Sequence, residues 1–370
     1  MKYLKGAKIN GRQVSFPIYL PDATLGVVRG LQATDLKIVG VEALVVNTYH
    51  LMIRPGAAIL RDFGGIKKYM NWDGLIVSDS GGFQLLSMIY RNKLLGKINQ
   101  SGVVFSQNSN PQGEKLVFTP EKSIQVQFAI GADIMVCLDD CPPVNISSEE
   151  NDLTVERTIE WAKRSKEEYL RRLESEKRDD FNRPLLIAVI QGGFDRRARE
   201  RCAKELTKIG FDGFGLGGWL IDKNGEMDLE MIKFITGLMP EESIKFGLGV
   251  GDPWSIVECF KMGYHIFDCV LPTRDARHGR LYVFSEDPGK ADILNKKEIH
   301  QYLYIDRGKH ASENKPISEF CDCPTCQNYS RAYLYHLFKI NESLAWRLAT
   351  IHNLRTYTKL IELLRKYQDF

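Results

Sequence analysis

Three aspartates each close a short apolar run: Asp79 in "GLIVSDSGG", Asp139 in "ADIMVCLDDC" and Asp268 in "HIFDCVLP". One such aspartate alone is a good helix N-cap. Three of them, accompanied by Ser80, by Asn47 at the end of "ALVVN", by Gln191 at the end of "LLIAVIQ" and by paired glycines at 217–218 and 249–251, suit a reaction site better. Paired carboxylates fit chemistry at an anomeric carbon. One attacks or stabilises the sugar cation while another moves a proton to or from the leaving group. The glycines allow close backbone approach to a flat ligand. Gln offers both donor and acceptor and Asp accepts from N–H groups, so together they can read the edge of a base. Arg274 and Arg277 follow Asp268 directly in "PTRDARHGR". Arginines there fit phosphate or guanine recognition.

A second group is "CDCPTC", which places Cys321, Cys323 and Cys326 around a proline. Three thiolates with one imidazole make a closed tetrahedral zinc site, with no open position for catalysis. Two histidines downstream compete for the fourth place: His336 in "AYLYHLFK" and His352 in "LATIHNLR". Either choice predicts structural zinc that staples a small C-terminal unit to the rest of the chain.

The elements that must position these residues are short β-rich runs separated by helical segments. Counting "VSFPIYL" at the start, about eight strands alternate with helices such as "TPEKSIQVQFAIG", "TVERTIEWAKRSKEEYLRRLESE" and "DPWSIVECFKMG". That alternation implies parallel βαβ units, and eight of them predict a closed (β/α)8 TIM-type barrel. In such a barrel the C-terminal ends of the strands share one rim, so residues scattered along the sequence meet in one pocket. The stretch "SGVVFSQNSNPQGEKLVF" reads as a hairpin inserted between barrel units. The organisation expected is a catalytic barrel over 1–294, a zinc-binding subdomain over 295–352, and a C-terminal helix over 353–370 that packs back on the barrel.

Composition agrees with this frame. The chain has 370 residues, 44% of them hydrophobic, and a net charge of +3. That length allows a large core, in one barrel or in two domains. The small net charge neither requires nor forbids a nucleic-acid partner, since charge can cluster locally. No run of eighteen apolar residues and no apolar leader is visible, which argues against a membrane span and for a cytoplasmic protein. Eight cysteines in a chain this long do not form a disulfide scaffold.

The ordered set "NTYHLMIRPG", "SDSGGFQ", "TPEKSIQVQ", "ADIMVCLDDC", "VIQGG", "GVGDP", "FDCVLPTRDARHG" and "CDCPTC…H" resembles the tRNA-guanine transglycosylases, from about residue 10 to residue 360. The resemblance implies exchange of the wobble guanine of tRNA with a GUN anticodon for a 7-deazaguanine base, through a covalent ribosyl-aspartate. It implies that Asp268 is the nucleophile and Asp79 the general acid/base. The base would be bound by Asp139, Gln191 and the Gly218 backbone, with Phe83 stacking and Ser80 and Asn47 supporting. Arg274 and Arg277 would recognise the tRNA. It also implies His352 rather than His336 as the fourth zinc ligand, and a homodimer. The chain departs from the bacterial pattern at "GGWLIDKNGEMD". There Trp219, Leu220 and Ile221 replace other groups, Lys223 falls where a glutamate is usual, and Glu226 lies three residues further on. In the family this loop meets the substituent of the incoming base.

Three other readings fit parts of the sequence. A non-catalytic partner subunit should lack one of the two reacting carboxylates, and both are present. An archaeosine-type enzyme carries added C-terminal RNA-binding domains; a DNA-modifying relative is a further variant. A zinc hydrolase needs an open metal position, which a Cys3His set denies.

Overall fold

The computed structural model describes residues 4–106, 113–143, 146–218, 220–221, 225–289 and 295–368. Eight parallel strands, numbered β1 to β8 in chain order, form the central sheet. They are β1 (Ile18–Pro21), β2 (Ala43–Asn47), β3 (Leu75–Asp79), β4 (Ile134–Val136), β5 (Leu185–Ile190), β6 (Gly213–Leu216), β7 (Ile244–Gly247) and β8 (Ile266–Cys269). Neighbours in sequence are neighbours in the sheet, and β8 pairs with β1. The ring closes between β1 and β2 through a parallel bridge from Asp22 to Val45, where Ala23 N–H donates to the Val45 carbonyl at 2.8 Å. The predicted (β/α)8 barrel is therefore the observed architecture.

Successive side chains on a strand point to opposite faces. One set fills the lumen: Ile18, Leu20, Ala43, Val45, Leu75, Val77, Ile134, Val136, Leu185, Ile187, Val189, Ile244, Phe246 and Ile266. The alternate set, including Leu44, Val46, Ile76, Met135, Leu186, Ala188, Ile190 and Phe267, packs outward under the helices. The N-terminal strands Gly6–Ile9 and Arg12–Ser15 pair antiparallel, and Ile9, Val14 and Phe16 join the lumen cluster. This hairpin plugs the base of the barrel.

The helices form where the sequence signals them. Pro120–Ile130 starts on Thr119, whose side chain accepts from Lys122 N–H, and ends on Gly131 in the left-handed region. Pro253–Lys261 is capped by Asp252. The charged segment forms the long helix Ser148–Ser175. The insertion is larger than the expected hairpin. Gly102–Ser106 and Lys115–Phe118 do pair, but Gly96–Asn99 adds a third antiparallel strand. Its short, lysine-bearing run gives little strand signal, and its partner supplies the order. The insertion packs Val103, Phe105 and Phe118 against Leu85, Leu86, Ile89 and Trp161. Trp161 Nε1 and Arg164 both donate to the Gln100 carbonyl.

Beyond the barrel, Arg280–Phe284 pairs with His300–Tyr304, followed by helices Pro324–Asn328, Arg331–Lys339 and Ser343–Tyr367. The last helix runs without a break through residues 352 and 353, so one element belongs to both the cysteine-bearing unit and the barrel wall. Arg347 pairs with Asp35 at 2.7 Å and Arg365 with Glu42 at 2.6 Å. Tyr357 Oη donates to the Gly251 carbonyl at 2.6 Å. Among the described residues no helix is long and apolar enough to cross a membrane.

The base of the barrel depends on Asp133. Its buried carboxylate accepts from Ile76 N–H at 2.8 Å, from Asn10 Nδ2 at 3.0 Å and from Lys67 Nζ at 2.6 Å. Asp133→Ala strands that cation and a buried amide. We expect a loss of about 3–5 kcal/mol in unfolding free energy by urea titration, with the hairpin released first in hydrogen exchange.

Candidate active site

Counting outward along β2, β3, β5 and β8, the next lumen-facing positions after Val45, Val77, Val189 and Ile266 are Asn47, Asp79, Gln191 and Asp268. The alternation that fills the lumen with apolar groups thus delivers polar ones to its mouth. Asn47 and Asp79 stand opposite each other in the β2–β3 register. Asp139 arrives differently. β4 ends at Val136, and the chain turns so that Asp139 reaches the same rim.

The three predicted carboxylates sit in one water-poor mouth, each half-buried among buried neighbours. Asp79 accepts from Asn47 Nδ2 at 2.8 Å, Thr48 N–H at 3.1 Å and Gly81 N–H at 3.0 Å. Gly81 has φ +77°, and a Cβ there would lie 2.7 Å from Tyr49 N, so only glycine lets the backbone donor come this close. Despite three donors, desolvation pushes the Asp79 carboxyl up to about 7, with the Asp268 charge adding to the rise. Asp268 accepts from Gly249 N–H at 2.9 Å. Burial, with a smaller push from Asp22, raises it to about 6.

Asp139 accepts from Gln191 Nε2 at 2.7 Å and faces Ser80 Oγ at 3.4 Å, and burial raises it to about 6. Gln191 is buried, and among the described residues its Oε1 has no hydrogen-bond partner, an acceptor open to a ligand donor. Gly218 lies against that oxygen, since a Cβ there would meet it at 3.6 Å. Asn47, Asp79, Ser80, Asp139, Gln191 and Gly218 therefore make one connected wall. Phe83 stands at the start of helix Gly82–Arg91 with its ring half exposed. Arg274 and Arg277 lie on helix Leu271–Arg277, directly after β8. Arg274 is exposed, and Arg277 donates to the Thr273 carbonyl at 2.9 Å.

Sequence reasoning passed over several positioning groups. Thr48 and Gly249 act through backbone N–H groups, which no residue type announces. Ser123 Oγ donates to the Ser80 carbonyl at 2.7 Å. Arg199 is fully buried and donates to the carbonyls of Ile190, Gly193 and Gly217, tying together the two loops that carry Gln191 and Gly218. In sequence it reads as one more surface arginine of a basic helix. Asp22 closes an apolar run as the other three aspartates do, and that signal was available. Of the divergent loop, Trp219 and Lys223 lie outside the described residues. Leu220 is buried, and Glu226 is exposed with Lys297 Nζ at 3.3 Å.

In the C-terminal unit, the Sγ atoms of Cys321, Cys323 and Cys326 and a ring nitrogen of His352 all lie within 4.8 Å of one another. His352 Nδ1 is 3.8 Å from Cys323 Sγ and 3.3 Å from Cys326 Sγ. Its Nε2 donates to the Tyr282 carbonyl at 2.8 Å, which turns the unprotonated nitrogen towards the thiols. A tetrahedron with metal–sulfur bonds of about 2.3 Å has edges of about 3.7 Å, and these spacings fit it. His336 is not part of the group.

A model of the family described as queuine tRNA-ribosyltransferase matches residues 6–367. Among curated relatives, a queuine tRNA-ribosyltransferase of Idiomarina loihiensis is 38% identical over 356 residues, covering 96% of this chain and 87% of its own length. Proteins of the same description from Pseudoalteromonas translucida (39% over 355 residues, 95% and 86%) and Methylacidiphilum infernorum (37% over 360 residues, 96% and 88%) are comparably similar.

The raised carboxyls have a measurable cost. Native Asp79 and Asp268 hold protons that the unfolded chain releases at lower pH, so their contribution to stability falls as pH rises from about 4 to about 7. Asp79→Asn and Asp268→Asn should each be more stable than wild type at pH 8, by about 1–2 kcal/mol once solvent at the mouth is allowed for. The gain should vanish near pH 4. Urea unfolding at the two pH values checks both the sign and its disappearance.

Proposed function

From the premise that this chain belongs to the queuine tRNA-ribosyltransferase family, we propose that it replaces the wobble guanine of a GUN anticodon with a 7-deazaguanine base by double displacement. The observation that carries this reading is the pair Asp79 and Asp268 at one desolvated mouth, each fixed by backbone N–H groups.

Asp268, with the lower of the two values, is mostly ionised near neutrality and attacks the ribose C1′. The C1′–N9 bond breaks, and its electron pair leaves with guanine. Asp79, at about 7, still holds a proton in much of the population and gives it to the leaving base. The two groups sense each other, so they titrate as a pair. The incoming base binds in guanine's place, loses a proton to Asp79 and attacks C1′, which frees Asp268. Two displacements retain configuration, and the ribosyl ester preserves the glycosyl bond energy, so no ATP is required. The apolar lumen beneath and the closed wall beside the carboxylates keep water from the ester. Reaching them requires the target base to leave its stack.

In this reading Asp139, Gln191 and the Gly218 backbone hold the polar edge of the base, with Gln191 Oε1 supplying the unpaired acceptor. Phe83 stacks on the ring, while Ser80 and Asn47 hold Asp139 and Asp79. Arg274 and Arg277 engage the anticodon loop. Cys321, Cys323, Cys326 and His352 hold a structural zinc, which cross-links the C-terminal unit and takes no part in the exchange. The family resemblance adds a cytoplasmic homodimer. The loop 219–226 sets the substituent that the incoming base carries.

Asp268→Asn should abolish the covalent tRNA band on a denaturing gel with a slow base analogue, while tRNA binding persists. Asp79→Asn should lower labelled-guanine exchange about 10²–10⁴-fold. A band surviving in the Asp268 variant would remove it as nucleophile. For the metal, elemental analysis should find one zinc per chain. Chelation or Cys323→Ser should lower the melting temperature before it alters exchange in the protein that remains folded. Full thermal stability in a verified metal-free preparation would refute the structural role.

A further inference from the structure

Asp22 lies on the arc of the rim between the two reacting carboxylates. β8 pairs with β1 so that Asp268 stands opposite Leu20, and Asp22 follows two residues later with the same inward parity. On its other side Asp22 bridges to Val45, and Asn47 and then Asp79 follow on β2 and β3. The half-buried Asp22 carboxylate uses Oδ1 to accept from Thr24 N–H at 3.0 Å and from the Thr24 hydroxyl. Among the described residues its other oxygen has no hydrogen-bond partner and the group forms no ion pair, although Arg277 and His50 lie near enough to feel its charge.

A carboxylate in this place is costly. It raises the nucleophile beside it and repels the phosphates that Arg274 and Arg277 would attract. Its free oxygen can only accept, so a partner on the RNA must be a donor, and the donors of RNA are hydroxyl and base N–H groups. The N–H edge of the base is already met on the far wall by Asp139 and Gln191. What remains beside Asp268 is the sugar. C2′ is bonded to the carbon under attack, and its hydroxyl is the donor nearest to the reacting bond. Hydrogen bonds to the 2-hydroxyl of a sugar strengthen as its anomeric carbon becomes cationic.

We propose that the free oxygen of Asp22 accepts a hydrogen bond from a ribose 2′-hydroxyl of the RNA, so that this residue makes the enzyme favour ribose over deoxyribose. This rests on the transglycosylase reading above. The same chemistry is offered by the reacting nucleotide and by its 5′ neighbour, and the experiment separates them.

Exchange of labelled guanine is measured with three anticodon stem-loops: all ribose, 2′-deoxy at the reacting guanosine, and 2′-deoxy at its 5′ neighbour. Wild type is compared with Asp22→Asn and Asp22→Ser, both checked for folding by thermal melts. Either variant can keep the Thr24 turn. Asn then presents an NH2 group where the carboxylate presented an acceptor. In wild type, one of the deoxy substitutions should lower kcat/KM about 10- to 100-fold relative to the variants' response. The two variants should respond alike to that substitution, within about threefold of each other. Intrinsic lability of the deoxyribosyl bond cancels in this ratio. Equal penalties in wild type and variants, or no excess penalty in wild type at either position, would overturn the proposal. Failure of the underlying reading has a separate signature: no exchange by wild type even into the all-ribose stem-loop.

Discussion

The rest of the structure depends on the two-residue alternation of side chains in a closed parallel barrel. Closure gives each strand one face towards a shared interior, and that interior is packed solid with Ile, Val, Leu and Phe. Polar groups on the same parity are excluded until the last layer, where Asn47, Asp79, Gln191 and Asp268 appear. The apolar column below them is therefore the cause of their chemistry. It removes water from one side of each carboxyl and raises all three aspartates of the mouth. The bridge from Asp22 to Val45 completes the ring. Without it, β1 and β2 would both be edges, and Asp22 would lose its link to the strand that carries Asn47.

Carboxylates raised by desolvation destabilise the fold at neutral pH, and the rim shows how they are held in spite of this. Three of the four donors to Asp79 and Asp268 are backbone N–H groups, those of Thr48, Gly81 and Gly249, which carry no charge and little freedom. A cation at the same distance would neutralise the carboxylates and remove the raised values. The buried cation nearby, Arg199, is turned instead to three backbone carbonyls. It fixes the loops that carry Gln191 and Gly218 and leaves the acids to one another. Gly217 shows how tight that wall is, since a Cβ there would sit 2.5 Å from the Ile190 carbonyl oxygen.

The C-terminal helix Ser343–Tyr367 joins the second centre to the first. His352 points to the thiols while its neighbour Asn353 grips the barrel side, accepting from Tyr282 N–H at 3.0 Å and donating to the Pro272 and Arg280 carbonyls at 3.0 Å. Pro272 belongs to the helix that carries Arg274 and Arg277. A metal held there would thus brace the helix that carries those arginines. Tyr357, one turn further along the same face, holds the Gly251 carbonyl, and a Cβ on Gly251 would collide with Cys269 at 1.9 Å. The loop beside Asp268 is therefore packed from both sides.

The sequence alone determined the number and type of barrel strands, because each apolar run has strand length and a helix follows most of them. It also determined which residues end those strands, and parity sent Asn47, Asp79, Gln191 and Asp268 inward. The cysteine spacing fixed three metal-ligand candidates, since those residues lie within six consecutive positions around a proline. Other features were decided only by the tertiary structure. Asp139 sits one residue off the inward parity of β4 and reaches the site because that strand stops at Val136. The choice of His352 over His336 depends on which of two helical faces packs against the thiols. The third strand of the insertion needs its partner to exist. Asp22 became part of the mouth only when β8 returned to lie beside β1, more than two hundred residues later in the chain. Local pattern sets which way a side chain points along its own strand. Only ring closure sets which strands, and so which charges, become neighbours.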